Sequence, residues 1–212
     1  MRGVLITVEG VEGSGKSTQC RRLAERLQAR GLGVVLTSEP DGTALGAAIR
    51  TLFETGGPSP TPLTQVFLFM AARQQHAAEV IRPALSRGAV VVSDRYVDAT
   101  MAYQGFGQGV DLETIHDLNA LATGGLLPDL TLVLDLEPAA GMSRIGGRPL
   151  DAFESMDLAF HRRVREGYLE IARTEKRRVV VLDADQDEDT LADAVGATVD
   201  DLLERRELHR VV

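Results

Sequence analysis

The 212-residue chain carries 31 acidic against 23 basic residues, a net charge of −8, which argues against a general binder of nucleic acid or of anionic membrane surfaces. Its single cysteine, Cys20, excludes an intramolecular disulfide, and no run of about 18 apolar residues supplies a membrane span. The length suits one domain with a substantial core, residues 1–212 reading as a single unit without internal repeats, and a cytoplasmic location is the default.

Val4 to Val8 form the first predicted strand; this apolar run is too short for a signal peptide and ends at Glu9. It leads into Gly10-Val11-Glu12-Gly13-Ser14-Gly15-Lys16-Ser17, which fits the pattern Gly-x4-Gly-Lys-Ser/Thr residue for residue. From Ser17 the apolar positions Cys20, Leu23, Ala24 and Leu27 recur at helical spacing until Gly31 supplies a stop. A strand entering and a helix leaving make this pattern a phosphate cradle. Glycines let the backbone wrap a polyphosphate with its N–H groups turned inward, and the helix start adds the positive end of its dipole. Among 23 basic residues only Lys16 and Lys176 are lysine, so lysine at position 16 points to a site that needs a compact ammonium rather than a planar fork.

A second strand, Val34 to Thr37, precedes the turn-rich Glu39-Pro40-Asp41-Gly42-Thr43 at the carboxyl edge of the sheet. There Glu39 either faces a ligand or merely closes the turn before a helix from Ala44 to Glu54. A rigid connection, Gly56 to Pro62, leads to a long helix from about Thr64 to Leu85. On it Phe69 and Arg73 share a face: an aromatic platform with a guanidinium for one planar ligand or, more usually, a core Phe and a surface Arg.

The third strand, Ala89 to Ser93, runs into Asp94-Arg95-Tyr96. A carboxylate at the tip of an apolar strand near a phosphate loop is the expected second anchor for Mg2+, beside the hydroxyl of Ser17. Asp135 also ends an apolar strand, Leu130 to Leu136. Asp94 is preferred because Arg95 beside it can hold a second phosphate, whereas Asp135 has no cation nearby in the sequence. Arg144, Gly146, Gly147 and Arg148 form a basic segment, either a closing lid or a solvated loop. Arg162, Arg163 and Arg165 read as a solvated helix face with at most one turned inward. A strand from Val179 to Leu182 and a helix from Asp189 to about Arg205, striped by Leu191, Val195, Val199 and Leu202, complete the chain. The alternation predicts an α/β fold of three layers, a parallel sheet with helices on both faces.

Switches, hydrolytic motors and small-molecule kinases use such a loop. A guanine switch needs Asn-Lys-x-Asp, which neither lysine provides, and a motor places Glu after the strand-end Asp, where this chain has Arg95. A cation there suits transfer to an anionic acceptor. A phosphate monoester, with its second pKa near 6, is already a nucleophile at neutral pH, so the task is to offset repulsion and align the partners.

The stretches Glu9 to Thr18, Glu39 to Thr43, Phe69-Met70-Ala71-Ala72-Arg73, Asp94-Arg95-Tyr96 through Ala102-Tyr103-Gln104-Gly105, and Pro128 to Leu132 together resemble the bacterial thymidylate kinases, over nearly the full length. The resemblance implies a five-stranded phosphate-loop kinase fold, a homodimer, and transfer of the γ-phosphoryl group of ATP to dTMP with Mg2+. It assigns Gly10 through Thr18 to ATP, with Lys16, Arg95, Arg144 and Arg148 as catalytic residues and a lid at about 142–154. It has Phe69 stack on thymine, Arg73 and Thr100 bond the base, and Gln104 line the pocket. Arg95 and Arg50 then meet the acceptor phosphate, with Glu39 behind it; Glu12 meets the 3′-hydroxyl, and Tyr103 crowds the 2′ position. Two departures stand out: Ser38 and Asp41 where relatives carry Arg and Gly, and Ala152 where the lid motif Asp-Arg-x-Glu has its Arg. Within enzymes the alternative is another nucleoside monophosphate kinase, and outside them a nucleotide-dependent switch.

Overall fold

The computed structural model describes residues 2–54, 60–146 and 150–208. Arg148, Gly147 and most of the Gly56 to Pro62 connection lie outside the described residues.

Five strands, β1 (Val4–Glu9), β2 (Val34–Ser38), β3 (Val90–Asp94), β4 (Leu130–Asp135) and β5 (Val179–Asp183), pair in parallel in the order β2-β3-β1-β4-β5. The central strand β1 is buried throughout, as its unbroken apolar run requires, while the edge strands β2 and β5 keep partly exposed residues. Alternation along β1 feeds two cores. Val4, Ile6 and Val8 pack with α1 (Lys16–Ala29), α8 (Leu158–Thr174) and α9 (Glu188–Leu208) through Cys20, Leu23, Val164, Tyr168, Val195 and Val199. Leu5 and Val91 pack on the other face with Ile81, Leu85 and Tyr96. These are the three predicted layers.

Register positions the site. Val8 of β1 pairs with Asp94 of β3, so the loop leaving β1 emerges beside Asp94 and Arg95. Parallel strands ending level with one another make a crevice at their carboxyl ends, where open α/β sheets receive ligands.

Helix α2 (Ala44–Glu54) lies where expected. Helix α3 (Pro62–His76) starts before Thr64, because Pro62 sits in the first turn, where its missing N–H costs nothing. The helix continues through a π-helical segment, Ala77–Ile81, into α4 (Arg82–Ser86). A short α5 (Val97–Thr100) runs into a second π-helical segment, Met101–Gly107, which carries Tyr103 and Gln104. Then come α6 (Leu112–Thr123) and α7 (Pro138–Arg144).

Two expectations are corrected. Arg144 is the last residue of helix α7 rather than part of a loop; Pro138 in the first turn is the signal that marks this helix. Asp135 does have a cation, since Arg165 donates to both its oxygens at 2.7 and 3.0 Å from 30 residues away. Arg162 and Arg163 lie on the exposed face of α8 as expected, Arg163 donating across it to the carbonyl of Gly107, and Arg165 is the one that turns partly inward. No described helix is long and apolar enough to cross a membrane.

Candidate active site

The loop after β1 is shaped by close backbone approach. Gly13 has φ +70°, and a β-carbon on it would lie 2.1 Å from the carbonyl oxygen of Gly141 in α7. Gly10 has φ +144°, and a β-carbon there would lie 2.6 Å from the carbonyl oxygen of Leu134. Only glycine fits either position. The loop is thereby pressed against α7, and α1 begins at Lys16 with its N-terminus facing the crevice. Lys16 donates to the carbonyl of Val11 at 2.8 Å, and burial together with the neighbouring Arg95 lowers its pKa to about 8. The hydroxyl of Ser17 donates to Asp94 Oδ2 at 2.5 Å. Ser14 Oγ is buried in the same loop with no hydrogen-bond partner.

These features fit a polyphosphate and a magnesium ion. The cradle occupies space a β-carbon would fill, and Ser17 with Asp94 makes an all-oxygen pair of the kind Mg2+ takes. Among the described residues no cluster of three or more His, Cys, Asp or Glu could hold a metal alone, so an ion here would complete its shell with phosphate oxygens and water.

One cavity of about 730 Å³ runs from the loop to the acceptor wall. Glu12, Gly13, Gly15, Lys16, Ser17 and Thr18 line it, as do Glu39, Arg50, Phe69, Arg73, Asp94, Arg95, Thr100, Tyr103, Gln104 and Arg144. Gly10, Val11 and Ser14 are buried behind that lining.

Arg73 is a buried residue, 2 % exposed, so the surface-Arg alternative fails. It donates to Glu39 at 2.7 and 2.9 Å, to Thr100 at 3.1 Å, to Asn119 at 2.8 Å and to the carbonyl of Tyr96 at 2.7 Å. Glu39 therefore faces the site, held also by His76, which bonds Thr37 with its other nitrogen. A buried guanidinium is tolerable only with such partners. Phe69 stacks on Phe53 at 5.1 Å between centroids, and Phe153 tilts against both. Gln104 donates to Gln65. Arg50 is held by Glu54 at 2.7 Å and lies 3.8 Å from Asp41. Arg144 donates to the carbonyl of Ala184 at 3.1 Å and to Asp185 at 3.3 Å.

Arg95 has φ +71°, unusual for a side-chain-bearing residue and a local strain of the kind that collects at functional sites. Its guanidinium lies 4.7 Å from the ring centroid of Tyr103 and donates to the hydroxyls of Tyr103 and Tyr168 at 3.0 and 3.3 Å. Glu12 Oε1 accepts from the Tyr103 hydroxyl and lies 3.4 Å from Arg95, while Oε2 is 3.1 Å from His161 Nδ1. Burial opposes ionisation of Glu12, but His161, Arg95 and Lys16 prevail and bring its pKa down to about 2. Glu9, fully buried, accepts from the backbone of Tyr96 at 2.7 Å and from Tyr168 at 2.8 Å. Burial outweighs Arg95 and pushes its pKa up to about 8.

Sequence reading missed Glu9, Asn119, His161 and Tyr168 as members of this network. For the last two a signal existed: Phe160, Val164, Tyr168 and Ile171 form a helical apolar stripe, and a His and a Tyr placed on it belong indoors.

A phosphate loop and an arginine-lined acceptor wall in one crevice are the equipment of a phosphotransferase that joins two small anions. The thymidylate kinase family model matches residues 8–195. Thymidylate kinase from Nitratidesulfovibrio vulgaris is 48% identical over 203 residues, 91% of each chain, and that from Deinococcus radiodurans is 46% identical over 200 residues, 93% of this chain and 97% of the relative. The crystal structure of thymidylate kinase from Ehrlichia chaffeensis superposes with a TM-score of 0.78 at 34% identity, covering 94% of this chain and 99% of that one. The chain belongs to the thymidylate kinase family.

Proposed function

We propose that the cavity brings ATP and dTMP together for direct in-line transfer of the γ-phosphoryl group. As a member of its family the protein is a dTMP kinase, making dTDP and ADP in nucleotide biosynthesis. The observation that carries the in-line reading is the single cavity shared by the phosphate loop and the acceptor wall, with Arg95 among its lining residues.

In this reading the loop from Gly10 to Thr18 cradles the donor, and Lys16 places its ammonium on the distal phosphates. Ser17 and Asp94 would hold Mg2+, which supplies neutralisation of the donor's phosphate oxygens when bound. Thymine stacks on Phe69, Arg73 and Thr100 bond its polar edge, and Gln104 closes the pocket. Arg95 holds the acceptor phosphate, with Arg50 released to it from Glu54 and Glu39 bracing Arg73. Glu12 accepts from the 3′-hydroxyl, and Tyr103 fills the space a 2′-hydroxyl would need. No general base is assigned, because the acceptor dianion is already the nucleophile; catalysis is alignment and charge stabilisation. Arg144 and Arg148 act from a lid at about 142–154 in a single kinase domain of residues 1–212.

A homodimer and a cytoplasmic location, the compartment that supplies ATP, complete the proposal. For the dimer the support is apolar side chains left exposed on two helices that pack together, Leu63 and Phe67 on α3 and Leu121 on α6. Sedimentation at micromolar concentration tests it, and a monomer there would remove it.

The functional assay offers Mg-ATP with dTMP, dUMP, dCMP, dGMP and AMP separately. Selective formation of dTDP is expected; preference for another monophosphate overturns the substrate assignment, and hydrolysis without transfer overturns the kinase.

A further inference from the structure

His161 is 1% exposed and does not line the cavity, yet its Nδ1 meets Glu12 Oε2 at 3.1 Å. Its other nitrogen, Nε2, is buried without a hydrogen-bond partner. A polar ring placed in an apolar core costs stability unless its bonds repay it, and its one side-chain hydrogen bond is the contact with Glu12, beside weaker approaches to the backbone of Glu154 and Met156. The pair is ionic in character: burial works against the imidazolium, but the bond to Glu12 and the carboxylate's charge raise the His161 pKa above its ordinary value.

The two other contacts of Glu12 come from Tyr103 and Arg95, which line the cavity and face whatever enters it. His161 stands on α8, behind the wall, packed edge-to-face on Phe160. Of the three partners it alone is outside the cavity lining, where a ligand has no direct contact to compete for.

We propose that His161 is a positioning residue for the acceptor nucleotide, pinning Glu12 Oε2 from behind so that Oε1 is presented to the sugar hydroxyl of dTMP. The inference rests on the reading that Glu12 meets the 3′-hydroxyl.

The test compares H161N, H161Q and H161F in steady-state kinetics. An Asn amide can place its nitrogen near the position of Nδ1, a Gln amide reaches the position of Nε2 instead, and Phe offers no donor. A lost hydrogen bond to a charged group predicts a KM for dTMP raised about tenfold in H161Q and H161F and restored to within about twofold in H161N, with the KM for ATP and kcat little changed. With 3′-deoxy-dTMP as acceptor the four proteins should have the same KM. Equal KM values for dTMP in H161N and H161Q, a loss that falls on ATP or on kcat, or an equal loss with the 3′-deoxy substrate would each overturn the proposal. If H161F does not fold, the Asn–Gln comparison decides alone. A wild-type protein unable to phosphorylate dTMP sinks the functional reading itself; an active wild type with unaffected variants sinks only this inference.

Discussion

The hydroxyl of Ser17 donates to the carboxylate of Asp94 at 2.5 Å across 77 residues of chain. The contact follows from the pairing of Val8 with Asp94, which ends β1 and β3 at one level and sets the first turn of α1 over the tip of β3. Two oxygens selected from separate segments thus converge on one point at the mouth of the cavity.

Asp94→Asn is expected to raise the magnesium concentration needed for half-maximal activity at least tenfold and to lower kcat about a hundredfold, with Ser17→Ala milder. A magnesium titration at saturating ATP and dTMP checks this; an unchanged requirement in Asp94→Asn would assign the ion to other groups.

Lys16→Met should cost about 10² to 10³ in kcat while leaving the melting temperature unchanged or raised, since it removes a buried cation. The free-enzyme pKa of about 8 also predicts a pH profile. Only the ammonium attracts a triphosphate, so kcat/KM for ATP should fall as pH rises through about 8, and kcat less so because bound phosphate favours the protonated form.

Glu9 links stability to pH. Its folded pKa of about 8 lies above the ordinary 4.5, so between those values the folded state holds a proton that the unfolded chain has released. Its ionisation therefore makes stability fall with rising pH across that window, by at most about 1.4 kcal/mol per unit from this group. Denaturant melts at pH 5, 6, 7 and 8 should show a shallower decline in Glu9→Gln than in wild type. The remaining slope includes His161, whose raised pKa has the same sign.

Tyr103→Phe removes the hydroxyl that links Glu12 to Arg95, and Tyr103→Ala removes the ring as well. The preference for dTMP over its ribonucleotide counterpart, measured as a ratio of kcat/KM values, should weaken in Tyr103→Phe and fall about tenfold or more in Tyr103→Ala. Unchanged discrimination in both would relieve Tyr103 of that role.

Local chemistry was readable in the chain; convergence was not. Gly10 to Ser17 declares its turn because each glycine answers a local steric demand, and the strands declare themselves by apolar runs bounded by turn residues. Position alone leaves Arg73 open between a ligand contact and a surface residue, because its partners Glu39, Thr100 and Asn119 lie 27 to 46 residues away. Asp135 looked free of cations for the same reason, Arg165 being on a different helix. Glu9 read as the end of a strand, and only the fold reveals that it is sealed beneath Tyr96 and Tyr168. Periodicity tells which residues go inside, but the pairing of buried charges is settled by tertiary contacts.

The pressing of Gly13 against Gly141 leaves no room for a methyl group on either residue, in the first case by the 2.1 Å to the Gly141 oxygen and in the second by the same distance to that of Glu12. Donor cradle and helix α7 are therefore effectively one casting, with Arg144 at its far end. Arg144 thus reaches a bound triphosphate either by a bend of the chain after Gly141 or by carrying the cradle with it, and in the second case the grip on ATP changes with the posture of Arg144.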